Sequence, residues 1–151
     1  MSAPIGTDEL PPVLRRLVDA MLSNDPDTIS AMYTPDCRLA DAYTVTKGRA
    51  AFHEAVSYFF NAFKMLEVEV QNVISHGAEL VVNWRWTAVH QGEYLGVPAN
   101  GARFASWNLM WLEIKDGMVD SDLSVWDASE LQKLQRLAAG STGPSGAPAT
   151  E

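Results

Sequence analysis

Between Asn83 and Asp127 three apolar runs carry polar side chains two residues apart, and this alternation constrains the fold more than any other feature of the chain. Asn83, Arg85 and Thr87 mark the first run, Ser106 and Asn108 the second, and Asp120, Asp122 and Ser124 the third. Successive side chains of a strand point to opposite faces, so each run reads as a strand with a polar side and a side rich in Trp, Val and Leu. Such a sheet either shows its polar rows to water or lines a polar-bottomed pocket with them.

The preceding sequence supplies helices. Asp8 to Leu22 places Leu10, Val13, Leu14, Leu17, Val18 and Met21 on one helical face, with Pro11 and Pro12 in the first turn. A short second helix is expected from Asp25, with Pro26 in its first turn and Pro35 stopping it. Cys37 to Tyr43 reads as a strand, and Lys47-Gly48-Arg49 as a turn into a helix ending near Phe63. Phe52, Val56, Phe59, Phe60 and Phe63 make that helix the most aromatic of the chain. Strands are then expected over Leu66 to Ile74, Glu79 to Val89, Ala102 to Lys115 and Met118 to Trp126.

The turns Ser75-His76-Gly77-Ala78 and Lys115-Asp116-Gly117 place Gly where a hairpin needs positive φ, so their strands should pair antiparallel. Gly92 to Gly101 reads as a longer loop, and Ala128 to Leu137 as a closing helix. Residues 1–9 are expected as an arm, 10–138 as one domain and 139–151, rich in Gly, Ser, Pro, Thr and Ala, as a disordered tail. The order of elements predicts an α+β fold, with helices packed on one face of a curved antiparallel sheet.

With 151 residues, 47% hydrophobic and 20% charged, the chain suits one globular domain with a substantial core. A net charge of −8 opposes binding to phosphate backbones or anionic membranes, so neither nucleic acid nor membrane is expected as a partner. Apolar runs are short and the first ten residues carry no long apolar stretch, which makes a cytoplasmic location the expectation. The single cysteine, Cys37, reads as a small buried hydrophobe. Metal-ligand spacing, a Gly-rich phosphate loop and a Ser-His-Asp order are absent, so no cofactor or metal is expected.

The run Trp84-Arg85-Trp86-Thr87-Ala88-Val89-His90-Gln91-Gly92-Glu93-Tyr94-Leu95-Gly96-Val97-Pro98 is followed by Gly101, Asp116-Gly117 and Val125-Trp126-Asp127 before the closing helix. This pattern resembles the SnoaL-like polyketide cyclases, members of the nuclear-transport-factor-two-like superfamily that also holds ketosteroid isomerase and limonene epoxide hydrolase. The similarity spans Leu10 to Leu137, and His90 to Pro98 is its most specific part. It implies a cone-shaped α+β barrel whose curved sheet and N-terminal helices enclose a deep apolar pocket, usually a homodimer, that performs an intramolecular aldol closure without metal or organic cofactor. In that family an acidic residue on the last strand moves the proton. Many members carry His two residues before that Asp, and the two positions fall here on Asp122 and Ser124. Arg85 matches the arginine of the epoxide hydrolases' Asp-Arg-Asp group, while Thr87 and Ser124 stand in place of its aspartates.

Asp122 is the leading candidate, because a carboxylate in an aromatic pocket has its pKa raised by desolvation and suits a general base. Arg85 is read either as a binder of a substrate oxyanion or as an ion-pair partner that satisfies Asp122. Asp41 is read either as an acid/base partner across the cavity or as an exposed turn residue before Ala42-Tyr43. Asn83, Thr87, Ser106, Asn108 and Ser124 are candidate hydrogen-bonding groups for substrate, His90 a residue of the pocket mouth or a structural one, and Leu39, Phe60, Phe63, Met110 and Trp126 apolar wall. Tryptophans on the outer sheet face would mark a homodimer interface. Three functions are compatible with these residues: acid/base cyclisation or isomerisation of an apolar carbonyl compound, hydration or epoxide opening, and ligand binding or dimerisation without catalysis.

Overall fold

Helix α1, Pro12–Ser23, starts where its sequence allows. Pro11 sits at the N-cap and Pro12 at the first helical position, where a missing N–H removes no helical hydrogen bond. Leu14, Leu17 and Val18 are buried on its inner face together with the preceding Leu10. Asn24 ends the helix in the left-handed region at φ 56. Its side chain then accepts from the Met65 N–H at 2.6 Å and donates to the Met65 carbonyl at 3.0 Å, which fixes the helix end to the sheet. Helix α2, Pro26–Ser30, is capped by Asp25, whose carboxylate accepts from the Asp27 N–H.

The structure, a computed structural model, describes residues 3–41, 44–127 and 129–140. Its strands are β1 (Tyr33–Ala40), β2 (Val45–Lys47), β3 (Phe63–His76), β4 (Glu79–His90), β5 (Arg103–Lys115) and β6 (Met118–Trp126), with α3 (Arg49–Ala62) between β2 and β3 and α4 (Ser129–Gly140) after β6. They form one six-stranded sheet in the order β2-β1-β6-β5-β4-β3. The α+β expectation holds, with a correction to the sheet, which is mixed. β1 runs parallel to β6 and all other neighbours are antiparallel. Consecutive hairpins favour antiparallel pairing, but β1 and β6 are far apart in sequence and no tight turn sets their direction.

β1 also begins earlier than expected, at Tyr33, so Pro35 lies inside a strand instead of ending a helix. The β1–β6 ladder shifts register between Tyr33 and Arg38, and Pro35 falls in that irregular stretch, where proline breaks no regular ladder bond. The short strand β2 had no counterpart in the sequence reading. Ala42 and Tyr43, expected to finish β1, lie outside the described residues, as do Ala128 of the closing helix and residues 141–151 of the expected tail. Ala139 and Gly140, assigned to that tail, are helical.

Gly48 caps α3 at φ 84, as the turn reading required. Phe52, Val56 and Phe60 are buried on the inner face of α3, which packs with α1 and α2 against the sheet. The loop after β4 is held against the end of α3, where Gln91 and Gly92 both donate their N–H groups to the Ala62 carbonyl. Leu95 N–H donates to the Tyr58 hydroxyl at 2.7 Å, and Leu95 and Gly96 have positive φ in a tight turn closed by Tyr94 and Val97. This loop forms one rim of the interior.

The register decides which polar row faces inward. On β4 the buried residues are Trp84, Trp86, Ala88 and His90, so Asn83, Arg85 and Thr87 lie on the outer face. On β5 and β6 the inner rows are Ser106, Asn108 and Met110, and Asp122 and Ser124. The outer face of β5 and β6 carries Trp107, Leu109, Trp111, Leu123 and Val125, all exposed. Among the described residues, no helix is long and apolar enough to cross a membrane.

Gly92 tests the attachment of the rim loop. A Cβ there would lie 2.5 Å from the Asn61 carbonyl oxygen, a backbone atom that cannot turn aside. Gly92→Ala is expected to destabilise the fold by about 1–3 kcal/mol in urea denaturation. Gly6→Ala is the control for mere loss of glycine, because its Cβ meets open space and its φ of −60 suits any residue.

Candidate functional site

The space between the helices and the inner sheet face is a cavity of about 280 Å³. Leu17 and Met21 of α1, Ile29 of α2, and Phe52, Val56, Phe59 and Phe60 of α3 form its helical side. Its sheet side is made by Tyr33, Leu39, Trp84, Trp86, Asn108, Met110, Asp122, Ser124 and Trp126, and Tyr94 and Leu95 stand at the rim. A cavity with apolar walls and few convergent polar groups is the usual form of a small-molecule site.

Asp122 is the polar centre of this space. It is 3% exposed and pairs in register with Leu39 on one side and Leu112 on the other. The Tyr33 hydroxyl donates to Oδ2 at 2.8 Å and the Ser124 hydroxyl donates to Oδ1 at 2.7 Å. Burial raises the Asp122 pKa to about 6, against the two hydroxyl hydrogen bonds, which lower it, and with a further push upward from the charge of Asp41. Burial, together with the neighbouring Asp122 charge, pushes the Tyr33 phenol well above its usual range, so Tyr33 remains a donor. Each carboxylate oxygen keeps a lone pair for a further proton, because an ionised carboxylate offers about four acceptor positions. The arrangement is a base poised near neutrality inside an aromatic chamber.

Asp41 lines the same cavity, half-buried, and its Oδ1 accepts from the Thr44 N–H and hydroxyl. Leu39, Phe60, Asn108, Met110, Ser124 and Trp126 also reach the cavity wall. Arg85, Asn83 and Thr87 do not. Arg85 is exposed on the outer face, on the opposite side of the sheet from Asp122 and the cavity. The period of two was read correctly, but a one-residue choice of phase moves a whole row to the other face. The tryptophans of β4 take the interior because burying two indoles removes far more apolar surface from water than burying Asn and Thr.

Three further candidates are interior without touching the cavity. His90 is fully buried and packs on Phe63 with ring centroids 5.1 Å apart, beyond the Phe59 and Tyr94 rings that close the chamber. Phe63 belongs to the same aromatic cluster and to the core. Ser106 is buried beside the Asp127 carbonyl, to which its hydroxyl donates at 3.4 Å.

Tyr33 and Trp84 are the residues sequence reasoning missed. Tyr33 lay before Pro35 and was read as part of a helix ending; extending the strand back across the proline would have put its side chain on the same face as Cys37 only after allowing for the irregular register. The five tryptophans divide between pocket wall and outer face, and the phase of β4 puts Trp84 on the wall. Among the described residues, no cluster of three His, Cys, Asp or Glu side chains is placed to hold a metal.

The sequence model of the SnoaL-like polyketide cyclases matches residues 12–134. The chain belongs to this family. A protein from Jannaschia sp. CCS1 assigned as a SnoaL-like polyketide cyclase is 25% identical, with 87% of this chain and 91% of that chain aligned at a TM-score of 0.70. AclR from Streptomyces galilaeus, assigned as a hydroxylase, shares the fold at 22% identity, covering 82% of this chain and 93% of its own at a TM-score of 0.72. An LEH-like epoxide hydrolase from M. tuberculosis shares it at 14% identity, covering 85% and 90% at a TM-score of 0.65. No curated protein matches the chain.

The raised Asp122 pKa has a signature in stability. Below the unfolded value of about 3.8 the carboxyl is protonated in both states, and between there and about 6 the folded state alone keeps its proton. Above that, burial of the charge opposes folding by on the order of 3 kcal/mol. Asp122→Asn is therefore expected to gain stability relative to the parent as pH rises from about 4 to about 7. Urea midpoints across that range check it, and a difference that stays flat with pH would show that Asp122 is not held protonated by the fold.

Proposed function

We propose that this SnoaL-like chain is a cofactor-independent acid/base enzyme that cyclises or isomerises an apolar, carbonyl-containing small molecule. The observation that carries the reading is the buried Asp122 carboxylate, held by two hydroxyl donors on the wall of an aromatic cavity and poised near neutral pH. Above pH about 6 Asp122 is ionised and takes a proton from the carbon next to a substrate carbonyl. The C–H electron pair becomes an enolate, whose carbon attacks a second carbonyl of the same molecule. Asp122 then returns its proton to the new alkoxide, and no co-reactant is consumed. In an isomerisation the same proton returns to a different carbon.

Tyr33 and Ser124 already donate to Asp122, so their hydrogens serve the base rather than the enolate oxygen. With Arg85 outside, the oxyanion contact falls to Asn108, and Asp41 acts as the second titratable group of the chamber. Two observations weigh against epoxide hydrolysis in its familiar form: Arg85 faces solvent, and Ser124 stands where a second carboxylate would hold water.

A concrete assay is exchange of the C–H protons of an aromatic β-diketone with deuterated water, followed by NMR. The parent protein is expected to catalyse exchange with an acid limb near pH 6, and Asp122→Asn to lose roughly 10²-fold or more while keeping its fold. Undiminished exchange in the variant removes Asp122 from the mechanism. Saturable ligand quenching of tryptophan fluorescence with no exchange in the parent would point to binding without catalysis, and incorporation of heavy oxygen from labelled water into product would favour hydration.

The outer sheet face is proposed as the contact with a second copy. Leu109 pairs in register with Val125 and Trp111 with Leu123, making one exposed apolar patch across β5 and β6. Arg85, Glu69 and Glu113 border it, giving an apolar centre with a charged rim, the usual make-up of an interface between copies. Leu109→Glu is expected to convert a dimer into a folded monomer in light scattering. A parent protein that is monomeric at micromolar concentration would refute this interface.

A further inference from the structure

Two buried polar atoms of the cavity wall have no hydrogen-bond partner, the Trp84 indole N–H and Asn108 Oδ1. One is a donor without acceptor capacity and the other an acceptor. They belong to residues that face each other across β4 and β5, Trp84 opposite Asn108, on the inner side of the sheet. Directly opposed residues of an antiparallel pair have Cβ atoms about 4.5–5.5 Å apart. An unmet buried polar group costs about 1–3 kcal/mol, so two complementary ones on directly opposed residues favour pairing with each other. Both atoms are shielded from the cavity, which argues against direct service to a ligand. The amide torsion of Asn is soft, so rotation of the Asn108 amide can present its oxygen to the Trp84 indole.

We propose that Trp84 is a positioning residue that donates its indole N–H to Asn108 Oδ1 and thereby turns the Asn108 amide nitrogen into the cavity. Asn is the one side chain here whose two ends offer opposite hydrogen bonding, so its orientation decides what the cavity selects. Held by Trp84, it presents N–H donors and selects a ligand oxygen that only accepts, a ketone or its enolate. Released, it turns either end inward and accepts a ligand hydroxyl equally well. The register places Asn108 beside Trp126 and one pair of residues from Ser124, so the selected oxygen lies along the same wall as Asp122. A ketone fixed there has its acidic carbon directed toward the base.

This inference rests on the acid/base reading of the cavity, and the probes separate the two. Binding of 2-acetylnaphthalene, 2-naphthol and naphthalene is measured by calorimetry to the parent, Trp84→Phe, Asn108→Leu and the double variant. The parent is expected to bind the ketone roughly tenfold more tightly than the hydrocarbon, the worth of one net hydrogen bond. Asn108→Leu is expected to abolish that preference. With each affinity taken relative to naphthalene on the same variant, Trp84→Phe loses most of the preference for the ketone and gains relative affinity for the naphthol. In the Asn108→Leu background Trp84→Phe is expected to change the ketone preference no further, which a purely structural role of Trp84 would not produce. Unchanged ketone preference in Trp84→Phe overturns the inference alone. Failure of the parent to bind any of the three probes overturns it together with the ligand-binding reading.

Discussion

Tyr33 and Asp122 stand far apart in sequence and 2.8 Å apart in space, and the site depends on that hydrogen bond. A buried carboxylate without donors would remain protonated or drive the chain to expose it. Tyr33 reaches it because β1 runs parallel to β6, so the fold must close the first strand onto the last before the site exists. Arg49 at the start of α3 donates to the Tyr33 carbonyl at 2.8 Å, which ties the same strand to the helix that roofs the cavity. Ser124, two residues along β6 from Asp122, adds the second donor at no topological cost. One base is thereby assembled from the two ends of the domain, and global folding and site formation become a single event.

The strength of that base follows from a balance of opposing effects. Burial raises the pKa, two hydroxyls lower it, and the Asp41 charge raises it again. Without the hydroxyls the Asp122 pKa would stand higher, leaving less of the carboxylate ionised and able to accept a proton. With stronger donors, such as the arginine expected from sequence, it would become too weak a base. Neutral hydroxyl donors stabilise the anion modestly and leave it near 6, and Arg85 on the outer face spares it the larger depression an adjacent guanidinium would impose. The cost is a charge buried above that pH, offset by the contiguous core of α1, α3 and the inner sheet rows.

Much of this was legible in the residues. The helical spacing of Leu14, Leu17 and Val18, the aromatic face of α3, the Gly48 cap and the hairpin glycines Gly77 and Gly117 are local signals, and each produced the element it encodes. Asp122, Ser124 and Asn108 were found because β5 and β6 alternate in the direction their chemistry suggests. The phase of β4 was obscured because its alternation alone fits either row inward, and the apolar preference of Trp84 and Trp86 for the interior competed with the tryptophans of β5, which pairing with β4 leaves on the outer face. Tyr33 was hidden because a proline inside an irregular ladder imitates a boundary, and the direction of β1 is set by contacts with β6 that no local pattern announces.

The phase of β4 also decides what the cavity recognises. Had Asn83, Arg85 and Thr87 faced inward, the chamber would be polar on three strands, wet, and suited to an anion. With Trp84, Trp86 and Ala88 inward, apolar surface dominates and only a few polar groups remain on the walls, mainly around Asp122, Asp41 and Asn108. Water competes poorly in such a space, so each remaining hydrogen bond counts for more than it would at a solvated surface. Selectivity then comes from where those few groups stand. The spacing along the sheet puts the carboxylate and the amide on one wall with Met110 and Ser124 between them, an arrangement that the proposed acid/base function would use to hold a flat carbonyl compound along one edge.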